Sequence, residues 1–254
     1  QYRAAAWAGV ATQFFWGGME LLIYAAFYRS SGAAPETAAF PFGQLADLIW
    51  LRQAFLALVM LWSQDTDLLN MVTRGDTAYE LCRPISTYAF WFARLLALRF
   101  SRTLLRCFPI LVVASFLPEP FRFHLPPGIL QGLVFLAAMF LASLLVVAVS
   151  MYIYLITFIT LDSVGGRLLI GVGGEFLMGA LIPIPFMPLP LRRVLEFLPL
   201  RYTADFPFRV YSGNIPLGQA LPGLGMQCFW LVVLAAGGIL GFRIIRKRIL
   251  FQGG

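Results

Sequence analysis

The chain has 254 residues, of which 60% are hydrophobic and only 12% charged, with a mean hydropathy of +0.80. Soluble domains carry about 25% charge, so an ordinary water-exposed globular domain is excluded and the bilayer is the expected solvent for much of the surface. The net charge of +7 comes from 19 basic residues, of which only Lys247 is a lysine, scattered along apolar runs and loops as orientation signals rather than as a nucleic-acid patch.

The pattern predicts an all-α membrane protein, one transmembrane domain over residues 1–254 with six spans of ~20 residues or more. The first predicted span is residues 4–27, interrupted by Glu20. No processing site follows it, so it does not read as a cleavable signal peptide. A Gly-, Pro- and Ala-rich loop leads to the second, 45–62, which contains Arg52. A polar block over residues 63–87 separates it from the third, 88–117. That segment opens as an amphipathic helix: Arg99, Arg102 and Arg106 are spaced 3 and 4 and share a face, and with Arg94 they are expected at the membrane surface, snorkelling to phosphate. A water-filled path lined by arginine is the sharper alternative.

The fourth span, 128–160, contains no charge. The fifth, 168–182, holds Glu175 within Gly-Val-Gly-Gly-Glu-Phe, where small residues favour close helix contact. It ends in Ile182–Pro190, with four prolines in nine residues, where no helix is expected. Apolar residues at helical spacing (Leu191, Val194, Leu195 and Leu198) then predict two short helices dipping into the outer leaflet. The sixth span is 217–242, followed by the basic tail Arg243, Arg246, Lys247 and Arg248. That tail puts the C-terminus, and with six spans the N-terminus, in the cytoplasm. Arg192, Arg193, Arg201 and Arg209 then fall outside, against the rule.

Catalytic chemistry is not expected. The sequence has no P-loop, no His-Glu-x-x-His and no Gly-x-Ser-x-Gly. Cys82, Cys107 and Cys228 lie far apart, without metal-site or disulfide-framework spacing. His124, the only histidine, falls in an outer loop as a solvated residue. The remaining candidates are Glu20, Arg52 and Glu175. Charges inside a span are expensive, and they mark either a translocation path or a packed ion pair. A secondary transporter or channel using these charges is the alternative function, although no inverted repeat is visible.

The polar block contains Arg74-Gly-Asp-Thr-Ala-Tyr-Glu-Leu-Cys-Arg-Pro84. Gly75 and Asp76 read as a helix start, with Asp76 capping the first amides, and Pro84 forces Arg83 out of helical geometry. A two-turn helix of this length is not stable alone, so it must lean on a membrane surface or a partner.

Gly75, Glu80, Leu81, Pro84, Ile85 and Ser86, followed by the arginine-studded helix, resemble the first cytosolic loop of type-2 ABC exporter permeases. The likeness runs over nearly the whole chain, through the Pro-rich end of span five, Phe-Arg-Val-Tyr-Ser-Gly at residues 208–213 and the basic tail. It is closest to the bacterial subgroup of paired permeases served by one ATPase. The resemblance implies a permease subunit of an exporter in the bacterial inner membrane, carrying a hydrophobic or amphipathic compound. It implies a coupling helix made of Gly75, Asp76, Tyr79, Glu80, Leu81, Arg83 and Pro84, and outer re-entrant helices that gate the exit. It also implies an ABC ATPase partner and a second permease subunit, the same or homologous, with ATP and Mg held by the ATPase and no cofactor on this chain. The sequence departs from the family at its start: an amphipathic surface helix often precedes span one, and here only Gln1-Tyr2-Arg3 does.

Overall fold

Residues Ile129–Thr160, charge-free and strongly apolar, form one uninterrupted 32-residue helix. This is the axis of a computed structural model that describes residues 2–30, 40–77 and 85–252. Those residues are all-helical, without a strand. In chain order the α-helices are α1 (Tyr2–Ser30), α2 (Phe42–Ala54), α3 (Leu56–Val59), α4 (Thr66–Arg74), α5 (Thr87–Ser115), α6 (Ile129–Thr160), α7 (Ser163–Leu177), α8 (Leu189–Phe197), α9 (Asp205–Tyr211) and α10 (Leu217–Gln252). Two short 3-10 turns, Ile184–Phe186 and Pro199–Thr203, flank α8.

Among the described residues, two helices are long and apolar enough to cross a membrane: α6, and α10 over Leu217–Arg246. They differ in surroundings. The most apolar window of α6 is 56% buried, because α10, α9, α7, α4 and α5 all pack on it. That of α10 is 11% buried, leaving Phe229, Val232, Val233 and Leu240 facing outward. An apolar helix so little covered by its own chain requires lipid or another chain as its surroundings.

The segments assigned to spans two and five differ from expectation. Span two is broken at Phe55 into α2 and α3, of 13 and 4 residues. At 1.5 Å per residue α2 covers only about 20 Å. It is buried almost throughout, including Asp47, Arg52 and Gln53. Span five is the 15-residue α7, which starts and stops earlier than predicted. Its end is set by Gly179 at φ +77°, where Gly179 N–H donates to the Phe176 carbonyl and Ala180 N–H to the Glu175 carbonyl, a Schellman cap. The proline run after it keeps one 3-10 turn, Ile184–Phe186, where extended chain was expected. The two short helices predicted beyond it are present as α8 and α9, and every residue of α9 is buried.

Two groups of side-chain contacts mark opposite ends of the bundle. At one end Trp91 stacks on Phe158 at 5.7 Å and Tyr88 meets Phe242 edge-on at 5.5 Å, joining the start of α5 to the ends of α6 and α10. At the other, Trp50 donates to the Phe121 carbonyl at 2.9 Å, Tyr211 to the His124 carbonyl at 3.0 Å and Asn214 to Gln44 at 3.0 Å. The N-terminus of α5, the end of α6 and the C-terminal part of α10 share the first end.

Candidate functional site

Two sets of polar side chains sit within this apolar body. The first surrounds α4, which sequence reading missed because it lies inside a polar run. Asp65 caps it, accepting from the amides of Asp67 at 3.0 Å and Leu68 at 3.4 Å. Leu68, Leu69 and Val72 form one buried face, clustered with Val147, Met151 and Tyr154 of α6. Burying three such side chains contributes roughly 5–9 kcal/mol relative to leaving them in water, which stabilises a helix too short to hold by itself.

Gly75 terminates this helix. It lies at φ +80°, with its N–H on the Val72 carbonyl at 3.3 Å and Asp76 N–H on the Met71 carbonyl at 3.0 Å, another Schellman cap. The helix expected to start at Gly75-Asp76 lies outside the described residues; the left-handed Gly75 itself closes the preceding turn. Tyr79, Glu80, Leu81, Arg83 and Pro84 lie outside the described residues, as do the Lys247 and Arg248 side chains. The chain re-enters α5 with Ser86 as N-cap, its hydroxyl accepting from Ala89 N–H at 3.5 Å.

Of the α5 arginines only Arg99 is fully buried, where a membrane-surface position was expected; Arg94 and Arg106 are half-buried and Arg102 is exposed. Arg99 is 2% exposed. Its Nη1 donates to the carbonyls of Ala57, Leu58 and Met60 at 3.3, 3.3 and 2.8 Å, and its Nη2 to Ser150 Oγ at 3.1 Å. The physical cause is the break at Phe55. A four-residue helix leaves its last carbonyls without intrahelical donors, and a guanidinium supplies several at once. Arg94 donates to Asp65 Oδ2 at 2.8 Å, tying α5 to the cap of α4. Arg102 reaches Ser63 Oγ at 3.3 Å, and the Arg106 guanidinium lies against Gly9 of α1. The face of α5 that points outward carries Leu104, Leu105, Phe108 and Val112.

The second set joins α1, α2 and the segment after α7. Arg52 forms an ion pair with Glu20, and its Nη1 donates to the Ala180 carbonyl at 2.6 Å. Arg52 is 4% exposed. The two predicted span charges thus meet each other. Glu175 does not join them: its Oε1 is buried without a hydrogen-bond partner among the described residues.

His124 is no solvated loop residue. Its backbone N–H donates to Asp47 Oδ1 at 2.8 Å, and its ring nitrogens lie 3.2 Å from Asp47 Oδ1 and 3.2 Å from Glu119 Oε1. Partial burial pulls the imidazolium down; Asp47 and Glu119 together outweigh it and hold the pKa above its ordinary value. Three arginines of the 192–209 region also have local partners: Arg192 pairs with Glu196 at 3.0 Å, and Asp205 takes Arg201 at 3.4 Å and Arg209 at 3.2 Å. Asp205 could be found from sequence by its i−4 and i+4 arginines; the carbonyls behind Arg99 could not.

Among the described residues no three His, Cys, Asp or Glu side chains are grouped as metal ligands. No protein-family model, curated protein or solved structure matches the chain.

Proposed function

We propose that this chain is the membrane-spanning permease subunit of an ATP-binding-cassette exporter. It moves a hydrophobic or amphipathic compound across the bacterial inner membrane by alternating access, driven by a separate ATPase chain and alongside a second permease subunit. On this reading the chain crosses the membrane six times, with both termini cytoplasmic, and α8 and α9 are the outer re-entrant helices. The resemblance of Gly75–Ser86 to a coupling loop, and the outward apolar faces of α5 and α10, support this reading.

One observation carries it. The candidate coupling segment is connected on both sides to firmly mounted helices, α4 and α5. α4 is seated on α6 through Leu68, Leu69 and Val72, and Arg94 of α5 is tied to Asp65 at its cap. A short helix carried on such a mount transmits force from a motor into α5 and α6 instead of dissipating it in a floppy loop. The buried charges lend less support to a secondary transporter or channel, since Glu20 and Arg52 are occupied with each other and with the Ala180 carbonyl.

The test is co-expression with an adjacent ATPase and second permease, followed by reconstitution. ATP hydrolysis is expected only in the complex, and Asp76→Asn or Glu80→Gln should loosen assembly or separate hydrolysis from transport. Transport by this chain alone, without ATP, would overturn the proposal.

A further inference from the structure

A cavity of about 280 Å³ lies between α8, the Pro199–Thr203 turn, α9 and the N-terminal part of α10. Ile215 in its wall follows Asn214, whose bond to Gln44 marks the second bundle end. The walls are of two kinds. Phe206, Ile215 and Met226 are apolar, whereas Glu196, Arg201 and Gln219 are polar. Ligand pockets run from ~300 to 1,000 Å³, so this one has room for a single ring-sized group and not for a whole drug-sized molecule.

The polar side chains are fixed by bonds that leave edges free. Arg201 Nε donates to Asp205 Oδ2 at 3.4 Å and Nη1 to the Glu196 carbonyl at 3.2 Å, and the guanidinium stands 5.7 Å from the centre of the Tyr202 ring. Its Nη2 has no partner among the described residues and is not enclosed by the fold. Glu196 gives Oε1 to Arg192 at 3.0 Å, and its Oε2 is free and open in the same way. Gln219 is exposed, and its amide is unbonded among the described residues. Both charges in the wall already have an opposite partner, Asp205 for Arg201 and Arg192 for Glu196, so an entering ion gains little. A hydroxyl gains more, because it accepts from a guanidinium and donates to a carboxylate.

We propose that this cavity binds the head of a neutral amphiphile that carries adjacent hydroxyls, as an alkyl glycoside does. One hydroxyl accepts from Arg201 Nη2, its neighbour donates to Glu196 Oε2, and Gln219 bonds a third. The apolar face of the ring lies on Phe206 and Met226, and the tail leaves the cavity for the surrounding hydrocarbon. The inference rests on the membrane placement proposed above. It narrows the compound met by the outer helices α8 and α9 to an uncharged, hydroxylated one.

The test is saturation-transfer NMR of hexyl glucoside with the protein in phosphatidylcholine nanodiscs, after subtraction of empty nanodiscs. Binding to wild type should saturate. It should weaken about tenfold in E196L, the size expected for losing one charge-assisted hydrogen bond, and largely return in E196Q, which keeps the acceptor oxygen. M226W, which fills the cavity, should abolish it. Signal that never saturates, or that M226W leaves unchanged, overturns the site, and so does equal loss in E196L and E196Q. Asp205 is shared with Arg209, so an anion is the sharpest competitor. Tighter binding of hexyl sulfate or of hexyltrimethylammonium overturns the neutral ligand. Displacement by free glucose as readily as by hexyl glucoside assigns the cavity to a free sugar and overturns the amphiphile. The measurement needs no ATPase. Binding without ATP-driven transport therefore sinks the exporter reading alone, and transport without binding sinks this site alone.

Discussion

Arg52 of α2 forms an ion pair with Glu20 of α1 while donating a second bond to the Ala180 carbonyl at 2.6 Å, so one guanidinium joins three parts of the chain. Arg52→Met is expected to destabilise the protein by about 3 kcal/mol, because it leaves Glu20 and a carbonyl without their donor. The double variant Glu20→Gln/Arg52→Met should recover part of that loss. Thermal unfolding of the purified protein, followed by tryptophan fluorescence, measures both; a double variant no better than the single would show that the pair is not the unit of stability.

Arg99 is expected to tolerate no replacement. Lysine can reach one of its acceptors but not three carbonyls and Ser150 together, since its donors converge on one nitrogen. Arg99→Lys should cost on the order of 2–3 kcal/mol and Arg99→Leu more, because leucine removes the donor from all three carbonyls, while Ser150 keeps only Gln64. Hydrogen exchange should localise the damage to residues 55–64. Uniform loosening across the chain would contradict the assigned role.

Gly75→Ala should lower stability by about 1 kcal/mol, the usual cost of forcing a side chain into left-handed backbone. Nothing lies within 4 Å of the added methyl, so the effect is purely conformational. Gly75→Asn should cost less. If the chain is the exporter subunit proposed above, the alanine variant in the reconstituted complex should reduce transport per ATP more than hydrolysis itself, and equal reductions would argue against a mount for the proposed coupling segment.

The His124 junction makes the second bundle end sensitive to pH. Its folded-state pKa is raised, so its stabilisation is complete below the unfolded value near 6.5 and fades as pH rises through the folded value. Asp162 behaves oppositely. The amides of Val164 and Gly165, at 2.8 and 3.1 Å, hold its carboxyl below the ordinary range, and that contribution is lost only as pH falls through the lowered value. Melting temperature should therefore decline as pH rises above about 6.5 in wild type and flatten in Asp47→Asn. An unchanged slope in that variant would remove the His124 junction as its source.

Much of this was readable in advance, and the failures have a common origin. α6 and α10 announce themselves by long runs in which lipid and protein interior make the same demand. The shared face of Arg99, Arg102 and Arg106 follows from their spacing. Its direction does not, because the groups it serves exist only once the chain breaks at Phe55, where no glycine or proline marks a break. α4 was legible but overlooked: Asp65 at one end, Gly75 at the other, and Leu68, Leu69 and Val72 between them. Gly75 stops a helix or precedes one depending on what lies upstream, and hydropathy averaged over a polar stretch hides a buried face of three residues.

The shortness of α7 reaches furthest. Fifteen residues rise about 22 Å, against a hydrocarbon layer of ~30 Å. In a bilayer the end of α7 cannot reach the far headgroups, and the polar backbone of Gly179 and Ala180 would sit beneath them, with Arg52 meeting its need for a donor. Lipid beside this flank must thin or tilt to match, as at any mismatch. On the exporter reading proposed above, a solute leaving here would cross less oil than one crossing the surrounding bilayer, and transport would slow in membranes made of longer-chain lipids.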